Sequence, residues 1–452
     1  MKQLYGVLVG LCLFPALICA ESDTQQFWPQ WRGPAGTGVA LQGNPPIEWS
    51  ADKNIRWKAE LPGAGFATPI VWDDRVFVSV ATQVESPAEN QRNRGNAQAR
   101  GSGRGSGRGS RGRNRSVEPA LLKYEVMALD RNTGQVIWQQ TAREEIPHQS
   151  RRPDGSWASP SAVTDGEHVI AYFGSRGLYC YDMDGKLQWE KDFGDMDIQG
   201  AFGEGSSPAL HGNTVVINWD HQGESFITAL DKRTGKELWK TPRNEGTTWT
   251  TPLIVEVNGK AQAIVAGPFT RAYDLETGTE VWNCEGLTGG VIPTAVVQNN
   301  MVYVTSSSRG SGVLMAIHLE KAKGTIAYTD AVAWWTEQDA PHIPSPLVMN
   351  ENIYMLKNRN GILSALNAKT GKVIYGPQRL DGIQGMYASP VGIKDRIYFA
   401  SQDGVTLVIK HGAQYEVLAS NTLDDSFNAS PVIVGNELYL RGQRHLYCIA
   451  SD

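Results

Sequence analysis

The chain has 452 residues, with 42 Lys and Arg against 47 Asp and Glu, and a formal net charge of −5. Length alone allows two or three ordinary domains, but repeat architectures grow as one body and escape that arithmetic. Past the first twenty residues no apolar run is long enough to span a bilayer, which excludes a helical membrane protein, and the mild acidity speaks to solubility and steering rather than to a nucleic-acid partner.

Residues 1–20 read as a secretory leader. Lys2 supplies the positive start, Leu4 to Leu17 the apolar stretch and Ala20 the small residue at the cut. Cys19 follows Ile18 rather than a small residue, so lipidation is not expected. The chain is therefore expected in the periplasm or elsewhere in the cell envelope. Residues 21–53 form a Trp/Pro/Gly-rich segment in which Trp28 and Trp31 are expected to pack against the side or one end of the body. Next comes a lone strand, Asn54 to Lys58, bearing Trp57.

From Thr68 onward one phrase recurs: a Ser/Thr-Pro step opening an apolar strand. It stands at Thr68-Pro69, Ser159-Pro160, Ser207-Pro208, Thr251-Pro252, Ser345-Pro346, Ser389-Pro390 and Ser430-Pro431, with an inverted copy at Pro293-Thr294. Apart from one stretched interval, the prolines fall 41 to 53 residues apart. That is the length of a four-stranded antiparallel sheet with tight turns, the blade of a β-propeller. Eight markers predict an all-β, eight-bladed propeller over 54–452. The last blade lacks a strand, and the segment around Trp57 is expected to supply it, removing two exposed edges. Residues 83–122, with eight Arg and three Glu around a Gly/Ser/Arg tract, interrupt blade one as an insert expected to be disordered.

A second phrase, A-x-D-x-x-T-G-x-x-x-W, is complete in three places. It joins Asp130, Gly134 and Trp138; Asp231, Gly235 and Trp239; and Asp274, Gly278 and Trp282, with a near copy from Ala365 to Tyr375. The Asp is expected to accept turn N–H groups, the Gly to take a left-handed conformation, and the Trp to cover the neighbouring blade. These phrases resemble the tryptophan-docking repeats of quinoprotein-type propellers, the pyrroloquinoline quinone (PQQ) repeat family, over about nine-tenths of the chain. The compact plan is similar to the BamB-type members, which serve the outer-membrane β-barrel assembly machinery. The resemblance implies either a scaffold with a protein partner in the envelope or a PQQ-binding dehydrogenase using Ca²⁺. Against the second stand the lack of adjacent cysteines, of C-x-x-C-H and of a local Asp/Glu/Asn cluster. No cofactor and no metal are therefore expected, and a non-catalytic role is favoured.

Loops entering the innermost strands should line one mouth of the central channel. An aromatic set is expected there: Phe66, Trp157, Trp249 and Tyr387, two residues before their Ser/Thr-Pro steps, and Phe427 one place earlier. Glu204 and His342 share these loops and complete the candidate binding site, whose aromatics could stack on a planar ligand, hold a peptide or, the preferred reading, plug the channel. Cys180, Cys284 and Cys448 fall in strands and are expected to be small buried hydrophobes.

Overall fold

The computed structural model describes residues 25–84, 116–308, 311–357 and 360–451. The expected leader and the core of the expected disordered insert lie outside the described residues. The strands that flank that insert, Arg75–Gln83 and Leu122–Asp130, pair directly up to Gln83 opposite Leu122.

Eight antiparallel sheets form the predicted eight-bladed propeller. Blade three shows the plan: Ala209–His211 innermost, then Thr214–Trp219, Phe226–Asp231 and, outermost, Glu237–Pro242. Blade eight combines Val432–Val434, Glu437–Arg441 and His445–Ile449 with Ile55–Glu60 from near the N-terminus. Trp57 pairs with Cys448, so the ring is closed by strands from opposite ends of the chain. Glu437 clasps this closure by accepting from Arg56 of the closing strand, from Arg131 of blade one at 2.7 Å and from Tyr439 Oη at 2.6 Å.

At the channel wall every blade is tied to the next by one backbone-to-hydroxyl bond. The N–H of Thr68 donates to Ser161 Oγ, that of Ser161 to Ser207, and so on through Thr251, Thr294, Ser345, Ser389 and Ser430 back to Thr68 Oγ1, at 2.9 to 3.1 Å. The repeated Ser/Thr of the sequence is thus the hydroxyl of a closed circle of eight bonds. In blade two the participant is Ser161, which follows Pro160, and not Ser159. Blades two and five therefore share the inverted order, Pro first.

At the perimeter a second seam runs through the tryptophans. Trp57, Trp138, Trp189, Trp239 and Trp334 each donate Nε1–H at 2.7 to 3.0 Å to a carbonyl in the following blade: Arg131, Met183, Lys232, Leu275 and Ala368. Each indole lies against a turn glycine, Gly134, Gly185, Gly235, Gly278 or Gly371, where an added Cβ would come within 2.5 to 2.7 Å of the ring. These glycines have φ of +68° to +83°, so both the backbone and the close approach demand Gly. The turn acid does the expected job: Asp130 Oδ1 accepts Asn132 N at 2.9 Å, Thr133 N at 2.8 Å and Thr133 Oγ1 at 2.9 Å. The hydroxyl of Thr133, foremost, holds the Asp130 carboxyl below its ordinary range.

Two blades carry a fifth strand, blade four at its outer edge, where the seam is missing, and blade seven at its inner edge. Trp282 of blade four faces a lengthened connection in blade five that has no Thr-Gly turn. Gly324–Thr325 from that connection lies parallel to Glu280–Glu285 as a fifth strand, and Trp282 is fully buried with no partner for its indole N–H. Blade seven has Ala419 where six blades carry Trp and blade six carries Tyr375. Trp49 of the N-terminal segment fills that gap, stacking on Tyr398 at 6.3 Å, while Asn421 brackets it by accepting Trp49 N–H and donating to Ile47 O, both at 2.9 Å.

The rest of the N-terminal segment closes one end of the channel. Trp28 exchanges both backbone bonds with Val71 of blade one at 2.9 Å, and Pro29 O accepts Thr164 N of blade two at 2.8 Å. Across the ring, buried Arg32 donates to Pro346 O at 2.7 Å and Pro390 O at 3.4 Å, and Val39–Ala40 adds to the innermost strand of blade seven. Trp31 is left facing the channel from below. The cysteines are free and buried, and burial pushes the thiols of Cys180 and Cys448 up to about 12 and that of Cys284 to about 11.

Two stability tests follow from the seams. Gly235→Val must place a branched side chain at φ +68° and push Trp189 away, so it should cost at least about 2 kcal/mol in urea unfolding. Deleting 54–60 exposes the outer edge of blade eight and uncovers the blade-one turn beneath Trp57, and the product should aggregate or lose cooperative unfolding; a soluble, cooperatively folding deletion would count against closure by this strand.

Candidate functional site

The incoming loops of the eight blades surround a cavity of about 600 Å³ above the hydroxyl circle. Its lining follows a simple rule of register. Side chains alternate along an extended chain, so the residue two before each circle hydroxyl faces the same way. Phe66, Ser159, Gly205, Trp249, Ile292, Ile343, Tyr387 and Asn428 occupy that position in blades one to eight, and all eight line the cavity.

This rule sorts the expected aromatic set. Phe66, Trp249 and Tyr387 stand two before the circle and face the cavity. Trp157 stands two before Ser159 and therefore four before the true circle residue Ser161. It lies instead under Arg151, 4.5 Å from the guanidinium, beside a separate small pocket with His148 and Arg176. Phe427 is three before Ser430, so it turns into the core, fully buried and edge-on to Tyr447. Asn428 takes the lining place in its blade. Glu204 and His342 line the cavity as expected of that mouth. Sequence reasoning missed Phe202, Asn428 and Ser159. Two of the three carry the register signal; Phe202 rides on a longer loop and does not.

The rim is a chain of contacts rather than a set of separate loops. Tyr387 Oη of blade seven donates to Asp154 Oδ2 of the blade-two loop at 2.8 Å. Arg152 sits 3.7 Å from Asp154 and 4.6 Å over the Phe202 ring. Phe202 meets Trp249 edge-to-face at 5.9 Å, and Trp249 Nε1 donates to Gly203 O at 2.7 Å. Beneath Trp249, Arg243 and Asp220 form a wholly buried bidentate pair at 2.7 and 3.0 Å, and Thr248 Oγ1 donates to the same carboxylate at 2.7 Å. Such a pair is costly to break, so it holds this loop in one place.

Glu204 stands between the cavity and the small pocket. Its Oε2 accepts Ser175 N at 2.7 Å and its Oε1 the Ser175 hydroxyl. Gly174 has φ +58°, and a Cβ there would lie 1.5 Å from Oε2, so glycine is required for the carboxylate to fit. Burial raises the Glu204 carboxyl above its ordinary range against the opposing effect of the Ser175 bonds. In the small pocket, Arg176 is held by Glu145 and Asp195, and meets His148 Nδ1 at 2.7 Å. His148 Nε2 lies 2.8 Å from Met196 O, and its Nδ1 lies 3.2 Å from Asp195 Oδ1 as well.

Among the described residues one group of three acids and histidines could hold a cation: Asp165, Glu167 and His168. It lies on the blade-two turn next to the closed end of the channel, and Asp165 is already held by Lys232. Among the described residues no helix is long and apolar enough to cross a membrane.

A family profile described as outer membrane protein assembly factor BamB matches residues 123–268 and 269–452. The chain belongs to this family. No curated protein sequence matches it. Among solved structures, BamB from Moraxella catarrhalis superposes with a TM-score of 0.53 at 16% identity, covering 72% of this chain and 88% of that one. A quinohemoprotein alcohol dehydrogenase, ADHIIG from Pseudomonas putida HK5, gives 0.52 at 11% identity, covering 96% and 82%. At such identities both likenesses are of fold alone.

The raised Glu204 carboxyl makes a pH test. Its folded-state value lies above the unfolded one, so the protein gains stability when it is protonated and loses that gain as pH rises from about 4.5 through the folded value. Glu204→Gln abolishes this titration. Its stability relative to the parent, from urea midpoints, should therefore rise across that window; a pH-independent difference would show that Glu204 is not the group responsible.

Proposed function

We propose that this protein is an exported, non-catalytic scaffold of the cell envelope that docks a protein partner on the loop face around the channel mouth. Membership of the BamB family supports the reading, and one structural observation carries it. The chain closes its own channel with residues 28–40 and ties the opposite rim through Tyr387 and Asp154, leaving a rigid face with a shallow cup rather than a through-channel. Rigid, pre-formed faces lose little freedom on association, which favours docking. Phe202, half exposed at the rim, offers an apolar anchor beside Arg152.

The donors of the cup do not suit a calcium-bound quinone, the chemistry of the alternative reading. Its two carboxylates are Asp154, engaged by Tyr387 and Arg152, and Glu204, engaged by Ser175. Among the described residues the cysteines, Cys180, Cys284 and Cys448, sit in strands away from the cup. That donor set does not fit a hard cation needing six or more oxygens beside a quinone.

Cross-linking of the full-length protein in its own envelope should recover one reproducible partner. Phe202→Asp at the rim should reduce recovery about tenfold or more, since interface anchors are worth 2 kcal/mol or more, whereas Leu238→Asp on the perimeter of blade three should leave it unchanged. Alcohol-dependent dye reduction after loading with PQQ and Ca²⁺ would replace this reading with the enzymatic one.

A further inference from the structure

The hydroxyl circle has an unused half. Each oxygen accepts a backbone N–H from the neighbouring blade, yet among the described residues none of the eight hydroxyls donates to a protein acceptor. All but that of Thr294 line the cavity. Asn428 adds a sharper case. It is 8% exposed and lines the cavity; its Oδ1 accepts Gln402 Nε2 at 2.7 Å, which fixes the amide orientation, and its Nδ2 has no partner. Buried donors without partners are rare and costly unless something satisfies them.

The two carboxylates of the cup, Asp154 and Glu204, are by contrast already spoken for. A sugar or alcohol must both donate and accept, and finds few acceptors here. A carboxylate only accepts. Charge points the same way. Arg32 and Arg441 are each 1% exposed and are held by main-chain carbonyls alone, Arg32 by Thr37, Pro346 and Pro390, and Arg441 by Ala67. Those carbonyls, Thr37 apart, belong to residues adjoining circle members Ser345, Ser389 and Thr68. Two guanidiniums without a carboxylate, in a poorly solvated wall, favour an anion in the channel.

Shape decides the kind of carboxylate. Trp31 closes the floor and the loops open above, so the cup admits an end of a chain but not a segment running through. Its walls carry Phe66, Trp249, Ile292 and Ile343, which suit an apolar side chain. We propose that the cup captures the free C-terminal carboxylate of a partner polypeptide, seating it against Asn428 Nδ2, Arg152 and the circle hydroxyls, with its last side chain among the apolar walls. This rests on the scaffold reading and names the part of the partner that enters the site.

The test uses the full-length protein, a leucine-ended tetrapeptide with a free carboxylate, and the same peptide amidated, followed by tryptophan fluorescence and calorimetry. The acid should bind at least about tenfold more tightly than the amide, since hydrogen bonds to a charged group are worth about 1.5–3 kcal/mol. Asn428→Asp keeps the bond to Gln402 but opposes the carboxylate, and should abolish the preference. Arg152→Gln, on the rim and outside the packed wall, should weaken the acid about tenfold and leave the amide unchanged. Melting temperatures report whether each variant is folded. Equal affinity of acid and amide, no binding of either, or an unaltered preference in folded Asn428→Asp overturns the proposal. Saturable binding of benzoate without binding of the peptide also overturns it, assigning the cup to a small free acid. Any of these results with partner recovery intact leaves the scaffold reading standing, while peptide binding without a partner does the reverse.

Discussion

Eight N–H groups, each donating to the hydroxyl of the next blade, set the geometry on which the rest of the molecule depends. A propeller blade is a twisted sheet that cannot bury both faces alone, and the angle between neighbours decides whether a ring closes. One bond of nearly constant length at every inner corner leaves each blade little freedom but its share of the full turn. A Ser or Thr at this corner serves the neighbour's backbone and still presents its hydrogen to the channel.

The outer seam is built on the opposite logic. At the inner corner a small polar side chain reaches a backbone amide. At the perimeter a large indole reaches a backbone carbonyl and lies on a glycine. The indole follows an extra residue in its strand: Trp138 pairs with Ala128 and Val136 with Leu129, leaving Ile137 bulged. The bulge turns the ring toward the next blade. The closing strand repeats this, with Trp57 opposite Cys448 and Ile55 opposite Ile449, although it lies hundreds of residues from the strands it completes. Where the seam fails, the chain borrows cover: Gly324–Thr325 over Trp282, and Trp49 against Tyr398.

The N-terminal segment unites these features with the site. It anchors at blade one through Trp28, crosses under the channel, holds Arg32 among carbonyls of blades six and seven, and supplies both the substitute Trp49 and the closing strand. A buried guanidinium bound only to carbonyls is an expensive group, and desolvation brings Arg32 down to about 9. Its carbonyl partners adjoin the circle members Ser345 and Ser389, which ties the plug to residues that line the cup.

Blade number, closing strand, turn chemistry and buried cysteines were all legible in the chain, because each rests on local rules: Ser/Thr with Pro at strand starts, Asp with Thr-Gly in turns, and Trp at a fixed distance beyond. Those rules act within a dozen residues and repeat, so one sequence suffices to read them. The site was legible only where the local phrase was regular. Phe66, Trp249 and Tyr387 are in register, but an inverted Pro-Ser order in blade two moved the frame by two residues and sent Trp157 outside the cup, while a one-residue offset buried Phe427. The strand's period of two makes such errors all-or-none. Only the assembled ring could bring Tyr387 to Asp154, set Asn428 Nδ2 without a partner, or lay residues 28–40 across the channel, since these contacts join positions hundreds of residues apart whose approach is decided by closure of the circle.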